Sequence, residues 1–196
     1  MSSLSRRSAA LVLALACTAG AAWAQSPAPR VKFATTAGEI VVEVYPDKAP
    51  KTAENFLQYV RDKHYDGTIF HRVIDRFMIQ GGGFDRSMAE KPTRAPVQHE
   101  GRAAYAKGLK NEVGTIAMAR TSDPDSATSQ FFINVADNTR SLDPPGPNAP
   151  GYTVFGRVVS GMDVVNRIKA VPTGRAGMYD DVPLTPVMIQ SATIVK

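Results

Sequence analysis

The chain has 196 residues, 43% of them hydrophobic and 21% charged, with a formal net charge of +5, 15 glycines, 14 prolines and a single cysteine. That balance excludes the disordered and collagen-like classes and leaves one turn-rich globular domain with enough chain to bury a core. Acidic residues are interspersed among the basic ones, and no basic stripe with interleaved aromatics occurs, which excludes nucleic-acid binding.

The first predicted element is a cleavable leader. Arg6 and Arg7 give a positive start, Ala9 to Ala16 is an apolar run too short to span a bilayer, and Ala22-Trp23-Ala24 places small residues at the two recognition positions before a cut. Cleavage is expected between Ala24 and Gln25, with residues 1–24 a signal peptide, 25–30 a short tether and 31–196 the folded domain. A lipidated Cys17 and a twin-arginine signal at Arg6-Arg7 are weaker readings. Ala14-Leu15-Ala16 is a poor order before a lipidated cysteine, and alanines follow Ser8 where large apolar residues belong. Cleavage removes two arginines and no acidic residue, lowering the net charge to +3, and it removes Cys17. The mature chain then has no disulfide, thiolate metal site or thiol nucleophile. Periplasmic residence without stable membrane insertion is expected.

In the domain, Val31 to Thr36 and Glu39 to Tyr45 flank an Ala37-Gly38 turn and read as a β-hairpin. Pro50 suits the first turn of a helix, and Ala53, Phe56, Leu57 and Val60 recur at helical spacing up to Lys63. Thr68 to Ile74 and Phe77 to Gln80 read as strands joined by Asp75-Arg76, with Gly81-Gly82-Gly83 ending the pairing. Gly114 to Ala119, Phe131 to Val135 and Tyr152 to Val159 are further strands, Met162 to Ala170 a second helix, and Val187 to Val195 a last strand. About eight short strands and two helices point to an antiparallel barrel or sandwich, with closure favoured because neither the first nor the last strand is protected as an edge. The long segments Phe84 to Lys110 and Asp137 to Gly151 are predicted loops that shape a binding site.

The common catalytic patterns are absent: no nucleophile elbow, paired-histidine zinc motif, phosphate-cradling loop or dinucleotide fingerprint occurs. Of the three histidines, His71 reads as a hydrogen-bonded core residue, since no second ligand sits at metal spacing, and His99-Glu100 as a solvated pair. The anomaly is Phe70 to Gly82, where strand alternation puts Arg72 on the side of Phe70 and Ile74. Its guanidinium then lies among apolar side chains or points into a ligand site, and it needs a partner. Ser129 to Asn134 repeats the mixture of amides and aromatics. Taken alone, both segments also fit ordinary half-buried sheet.

Four blocks decide between these readings. Phe70 to Gly82, Ala117-Met118-Ala119-Arg120, Ser129 to Asn134 and Val154 to Val159 resemble, in order, the signature blocks of the cyclophilins. The resemblance runs from about Val31 to Val195, and Met118 to Asn138 is most similar to the bacterial periplasmic branch. It implies a mainly β fold, a closed eight-stranded antiparallel barrel capped by two helices, with an outer groove. It also implies a peptidyl-prolyl cis/trans isomerase that works without cofactor or metal and acts as a monomer on proline-containing segments of exported proteins, with cyclosporin-type inhibitors as further ligands. Carried over by position, Arg72 is the catalytic guanidinium, with Gln80 and Gln130 orienting it and the peptide. Phe77, Met78, Phe132 and Leu142 line the proline pocket, the backbone of Ala119 and Arg120 holds the chain beside it, and Tyr152 completes the wall. One departure is Asn134 to Ser141, one residue longer than the usual pattern, with Ser141 where an aromatic precedes the leucine; Pro144 to Pro147 also looks inserted. The departure motivates a rival reading, a catalytically silent proline-peptide binder on the same fold. An exported metal-dependent hydrolase would need ligand clusters that the sequence does not show.

Overall fold

Alternation of apolar and polar residues along the first two strands decides which way the sheet faces. The computed structural model describes residues 27–146 and 149–195, so the predicted leader and the start of the tether lie outside the described residues. Strands β1 (Arg30–Thr35) and β2 (Gly38–Val44) form the predicted hairpin, offset by one residue so that Thr36-Ala37 make the turn and Thr35 pairs with Gly38. Val31 and Phe33 face inward opposite Val42 and Ile40, while Lys32 and Glu39 face outward and form an ion pair.

Helix α1 (Pro50–Arg61) starts at its proline and buries Ala53, Phe56, Leu57 and Val60, the residues that recur at helical spacing. It stops two residues short of Lys63 because Lys63 takes a left-handed conformation, φ 54°, and the amides of Lys63 and His64 turn back onto the carbonyls of Val60 and Tyr59. No side chain of its own caps the helix start. Glu100 does so from elsewhere in the chain, accepting from the Thr52 amide and hydroxyl at 2.8 Å each. His99-Glu100 is therefore not a solvated pair. His99 is half-buried, with Nε2 3.2 Å from the Gly151 carbonyl.

The remaining strands are β3 (Thr68–Ile74), β4 (Met78–Asp85), β5 (Thr115–Met118), β6 (Phe131–Asn134), β7 (Val154–Ser160), β8 (Thr173–Ala176), β9 (Tyr179–Pro183) and β10 (Ile189–Val195). Helices α2 (Gly101–Ala106) and α3 (Thr139–Leu142) occupy parts of the two predicted long loops, and α4 (Met162–Lys169) is the predicted second helix. Eight strands form one antiparallel sheet in the order β10-β1-β2-β7-β5-β6-β4-β3, and β8 and β9 make a separate hairpin that the sequence reading missed. The sheet curls but no continuous ladder closes it. Its two end strands meet through one bridge, Ile69 to Met188, flanked by amides of Gly67 and Phe70 donating to Ile189 and Val187. Inside the curl, Phe33, Phe56, Tyr65, Phe131 and Phe155 form one aromatic cluster, with Phe33 and Phe131 stacked at 5.3 Å and the rings of Phe56 and Phe155 tilted against each other at 4.9 Å.

The three glycines after Gln80 do not end the pairing, as predicted, but lie within β4. Close approach explains them: a Cβ on Gly83 would stand 2.5 Å from the Gln130 side chain, and Gly82, at φ +87°, would place one 2.8 Å from the Tyr65 ring and 3.0 Å from Phe131. Gly82→Ala therefore combines a left-handed backbone with overpacking, and should cost about 3 kcal/mol, seen as a lower denaturant midpoint with an unchanged slope.

Candidate active site

Directly opposed residues in a sheet share a face, and the registers of β3, β4, β6 and β5 therefore lay two rows across four strands. The inner row is Val73, Ile79, Ile133 and Ile116, all in the core. The outer row is Arg72, Gln80, Phe132 and Ala117. Alternation thus puts a guanidinium, an amide and an aromatic ring side by side on the face away from the core. Met78, two residues before Gln80, joins them.

Loops convert this row into a cavity of about 170 Å³. One water needs roughly 10–15 Å³ by the same measure, so the space takes a group of several heavy atoms. Its apolar lining is Met78, Phe132 and Leu142, each under 10% exposed, with Phe77 half-buried beside them. Tyr152 stands edge-on to Phe132 at 5.7 Å, and the Arg120 guanidinium lies 4.4 Å from the Tyr152 ring while donating to the Gly151 carbonyl at 2.8 Å. Arg120 thus braces the wall with its side chain, a role the sequence reading did not give it. Ala119, Gln80 and Arg72 complete the lining. Gln130 alone of the predicted residues lies outside it. Its Oε1 accepts from Gln80 Nε2 at 2.9 Å, and it lines an adjoining depression of about 240 Å³ shared with Gln80, Ala119 and Arg120.

Arg72 is not enclosed among apolar side chains. Its side chain is 45% exposed, and its Nε lies 3.8 Å from Oδ2 of Asp181 on β9. Asp181 was not foreseen, because an isolated Asp-Asp-Val in a turn-rich segment carries no signal that it reaches β3. Ser141 is exposed on α3, with its hydroxyl donating to the Asn138 carbonyl, and is not part of the lining. The long segment between Phe132 and Leu142 is held by a buried amide network instead. Asn138 Nδ2 donates to the Phe77 carbonyl at 2.8 Å and to Asn134 Oδ1 at 2.7 Å, and Asn134 Nδ2 donates to Thr115 Oγ1 at 2.9 Å. Asp143 accepts from the Asn111 amide and side chain at 2.8 Å each. Phe77 and Leu142 are thereby tied to one scaffold. Among the described residues, no group of three or more His, Cys, Asp or Glu side chains is placed to hold a metal ion.

His71 is a core residue, 5% exposed, packed 4.6 Å from the Phe84 ring, but its Nδ1 meets no hydrogen-bond partner. Burial, helped by the neighbouring Arg72 charge, pushes its pKa from the ordinary 6.5 to about 4. The imidazole behind Arg72 is neutral at physiological pH.

An eight-stranded curled antiparallel sheet with an arginine, a glutamine and an apolar pocket on its outer face defines a class of fold and site that the comparisons identify. The family model for cyclophilin type peptidyl-prolyl cis-trans isomerase/CLD matches residues 30–194. A peptidyl-prolyl cis-trans isomerase of Streptomyces antibioticus is 56% identical over 166 residues, covering 84% of this chain and 98% of its own. Peptidyl-prolyl cis-trans isomerase B of Escherichia coli K12 is 53% identical with the same coverage, and peptidyl-prolyl cis-trans isomerase A of Dickeya dadantii is 50% identical over 96% of each chain. A crystal structure of a Cryptosporidium parvum cyclophilin type isomerase in the presence of the dipeptide Ala-Pro superposes with TM-score 0.68 at 25% identity, covering 85% of this chain and 99% of that one. The chain belongs to the cyclophilin-type peptidyl-prolyl cis-trans isomerases. It is an enzyme of that activity.

Between pH 4 and 6.5 the unfolded chain binds a proton at His71 that the folded chain refuses, so stability rises with pH through that window and is level above it. The separation corresponds to about 3 kcal/mol. His71→Phe should reduce the loss of unfolding free energy between pH 7 and pH 4 by an amount of that order, read from urea melts of both proteins at each pH.

Proposed function

We propose that Arg72 accelerates rotation about X-Pro bonds by hydrogen-bonding the prolyl nitrogen as the amide twists, and that the substrates are proline-containing segments of exported proteins. The observation that carries this reading is the outer row, in which the guanidinium and Gln80 stand over the apolar floor made by Met78 and Phe132. The planar amide resists rotation by about 18–20 kcal/mol because nitrogen shares its lone pair with the carbonyl. In the twisted state the lone pair returns to a pyramidal nitrogen, which becomes an acceptor. A donor there acts on the transition state and hardly at all on the ground state, the condition for raising kcat.

A planar, permanently charged guanidinium suits this task, since it presents several donors in a fixed fork. The apolar pocket takes the proline ring and holds it while the preceding carbonyl turns, and by excluding water it strengthens the field of Arg72. Gln80, pinned by Gln130, limits where the guanidinium and peptide can lie. No bond is broken and no proton is exchanged. The Ala-Pro dipeptide named with the Cryptosporidium structure supports a prolyl ligand for the same fold. Because Ser141 lies off the pocket, it gives no support to a silent binder.

Exchange spectroscopy of a cis/trans X-Pro peptide by NMR, with residues 25–196 and Arg72→Ala side by side, tests the mechanism. Turnover should fall about 10²- to 10³-fold in the variant while peptide affinity stays within a few-fold. Near-parent kcat in folded Arg72→Ala protein would refute it, and peptide shifts without exchange in the parent would make the protein a binder.

The leader supports export to the periplasm. N-terminal sequencing of protein recovered from that compartment should read Gln25 first; an acylated Cys17 or an intact Met1 would overturn the processing.

A further inference from the structure

The β8–β9 hairpin contains two adjacent carboxylates that the structure treats differently. Gly174 pairs with Val182 and Ala176 with Tyr179, so one residue, Arg175, stands opposite two, Asp180 and Asp181. This is a bulge, and bulges beside active sites re-aim side chains. Asp181 is also in the left-handed region, at φ 60°, a conformation that Asp tolerates better than most residues but that still carries strain. The two features separate the pair. Asp180 lies 3.7 Å from Arg175 Nε within the hairpin, whereas Asp181 is turned onto Arg72 Nε at 3.8 Å.

The hairpin is anchored where that matters. Tyr179 packs edge-on against Phe84 of β4 at 5.3 Å, Phe84 packs against His71 of β3, and Val182 is buried. Asp181 is thus held over the same short stretch of β3 that carries Arg72. Its carboxylate meets the guanidinium at the Nε edge, which leaves the two terminal nitrogens for a ligand in the cavity.

We propose that Asp181 is a positioning residue for Arg72, holding the guanidinium by its Nε edge so that the terminal nitrogens face the twisting prolyl amide; this rests on the reading of Arg72 given above. It touches no reacting atom. Its effect is to restrict an exposed, flexible side chain to the orientations that serve turnover.

Asp181→Asn keeps a residue that accepts the left-handed backbone and removes the charge, while Asp181→Gly relieves the strain and removes the side chain. Asp180→Asn makes the same charge change off Arg72. In NMR exchange measurements, D181N and D181G should each lose about 3- to 5-fold in kcat with KM unchanged, the range set by a half-exposed ion pair. D180N should match the parent. The order parameter of the Arg72 Nε–H should fall in D181N and D181G only, and their thermal midpoints should equal or exceed the parent's. Parent-like kcat in both Asp181 variants, alongside an inactive Arg72→Ala, overturns the positioning role and leaves the arginine mechanism standing. An equal loss in D180N reduces the effect to surface charge and also overturns it. An active Arg72→Ala removes the group to be positioned, and both readings fall together.

Discussion

The stack of Phe131 on Phe33 inside the curled sheet is the contact on which the site's geometry depends. Side chains of a strand alternate between faces, so seating Phe131 in the core obliges Phe132 to face outward and Gln130 to do the same. A slip of one residue would bury Gln130 and Phe132 and expose Phe131, at a cost the core could not bear. The pocket floor and the Gln130 amide that holds Gln80 are therefore held in place by apolar packing on the other side of a single layer of backbone. Gly82 makes this possible, since a side chain there would collide with Phe131 and Tyr65.

Much of this was legible in the sequence, because strong periodicity survives into the fold. The α1 positions Ala53, Phe56, Leu57 and Val60 were visible at helical spacing, and the first hairpin was misplaced by one residue only. The glycine run misled: local propensity assigns Gly-Gly-Gly to a strand end, whereas the demand came from rings of β6 and from Tyr65, far away in sequence. The β8–β9 hairpin went unseen because its strands are short and largely exposed, without an apolar alternation to betray them. Closure was over-read from unprotected edge strands. The first and last strands, β1 and β10, pair with each other along their length, and the sheet's actual end strands, β3 and β10, curl together and meet through one bridge.

The site divides along the same line. Residues in motif blocks on strands were placed by the resemblance, and all but Gln130 line one cavity. What motifs could not supply were the relations between segments: Arg120 bracing Tyr152, the network from Asn111 to Asp143 behind Phe77 and Leu142, and the carboxylate of Asp181. Each joins elements distant in sequence through polar atoms whose pairing has no periodic signature. The extended segment before Leu142 shows the reverse case. It read as a departure that favoured a silent binder, yet Asn138 ties it to the backbone of Phe77 beside the pocket.

The pairing of β1 with β10 also bears on how the chain comes together. Arg30 lies opposite Val195, so the strand made first keeps one edge unsatisfied until the strand made last has emerged. During synthesis β1 and β2 can form a hairpin, but an isolated hairpin is marginal in water, and its outer amides stay open to any extended segment nearby. The pairing that completes the sheet carries the largest loop-closure entropy in the molecule. This peptidyl-prolyl isomerase is itself built so that its sheet is finished only by β10.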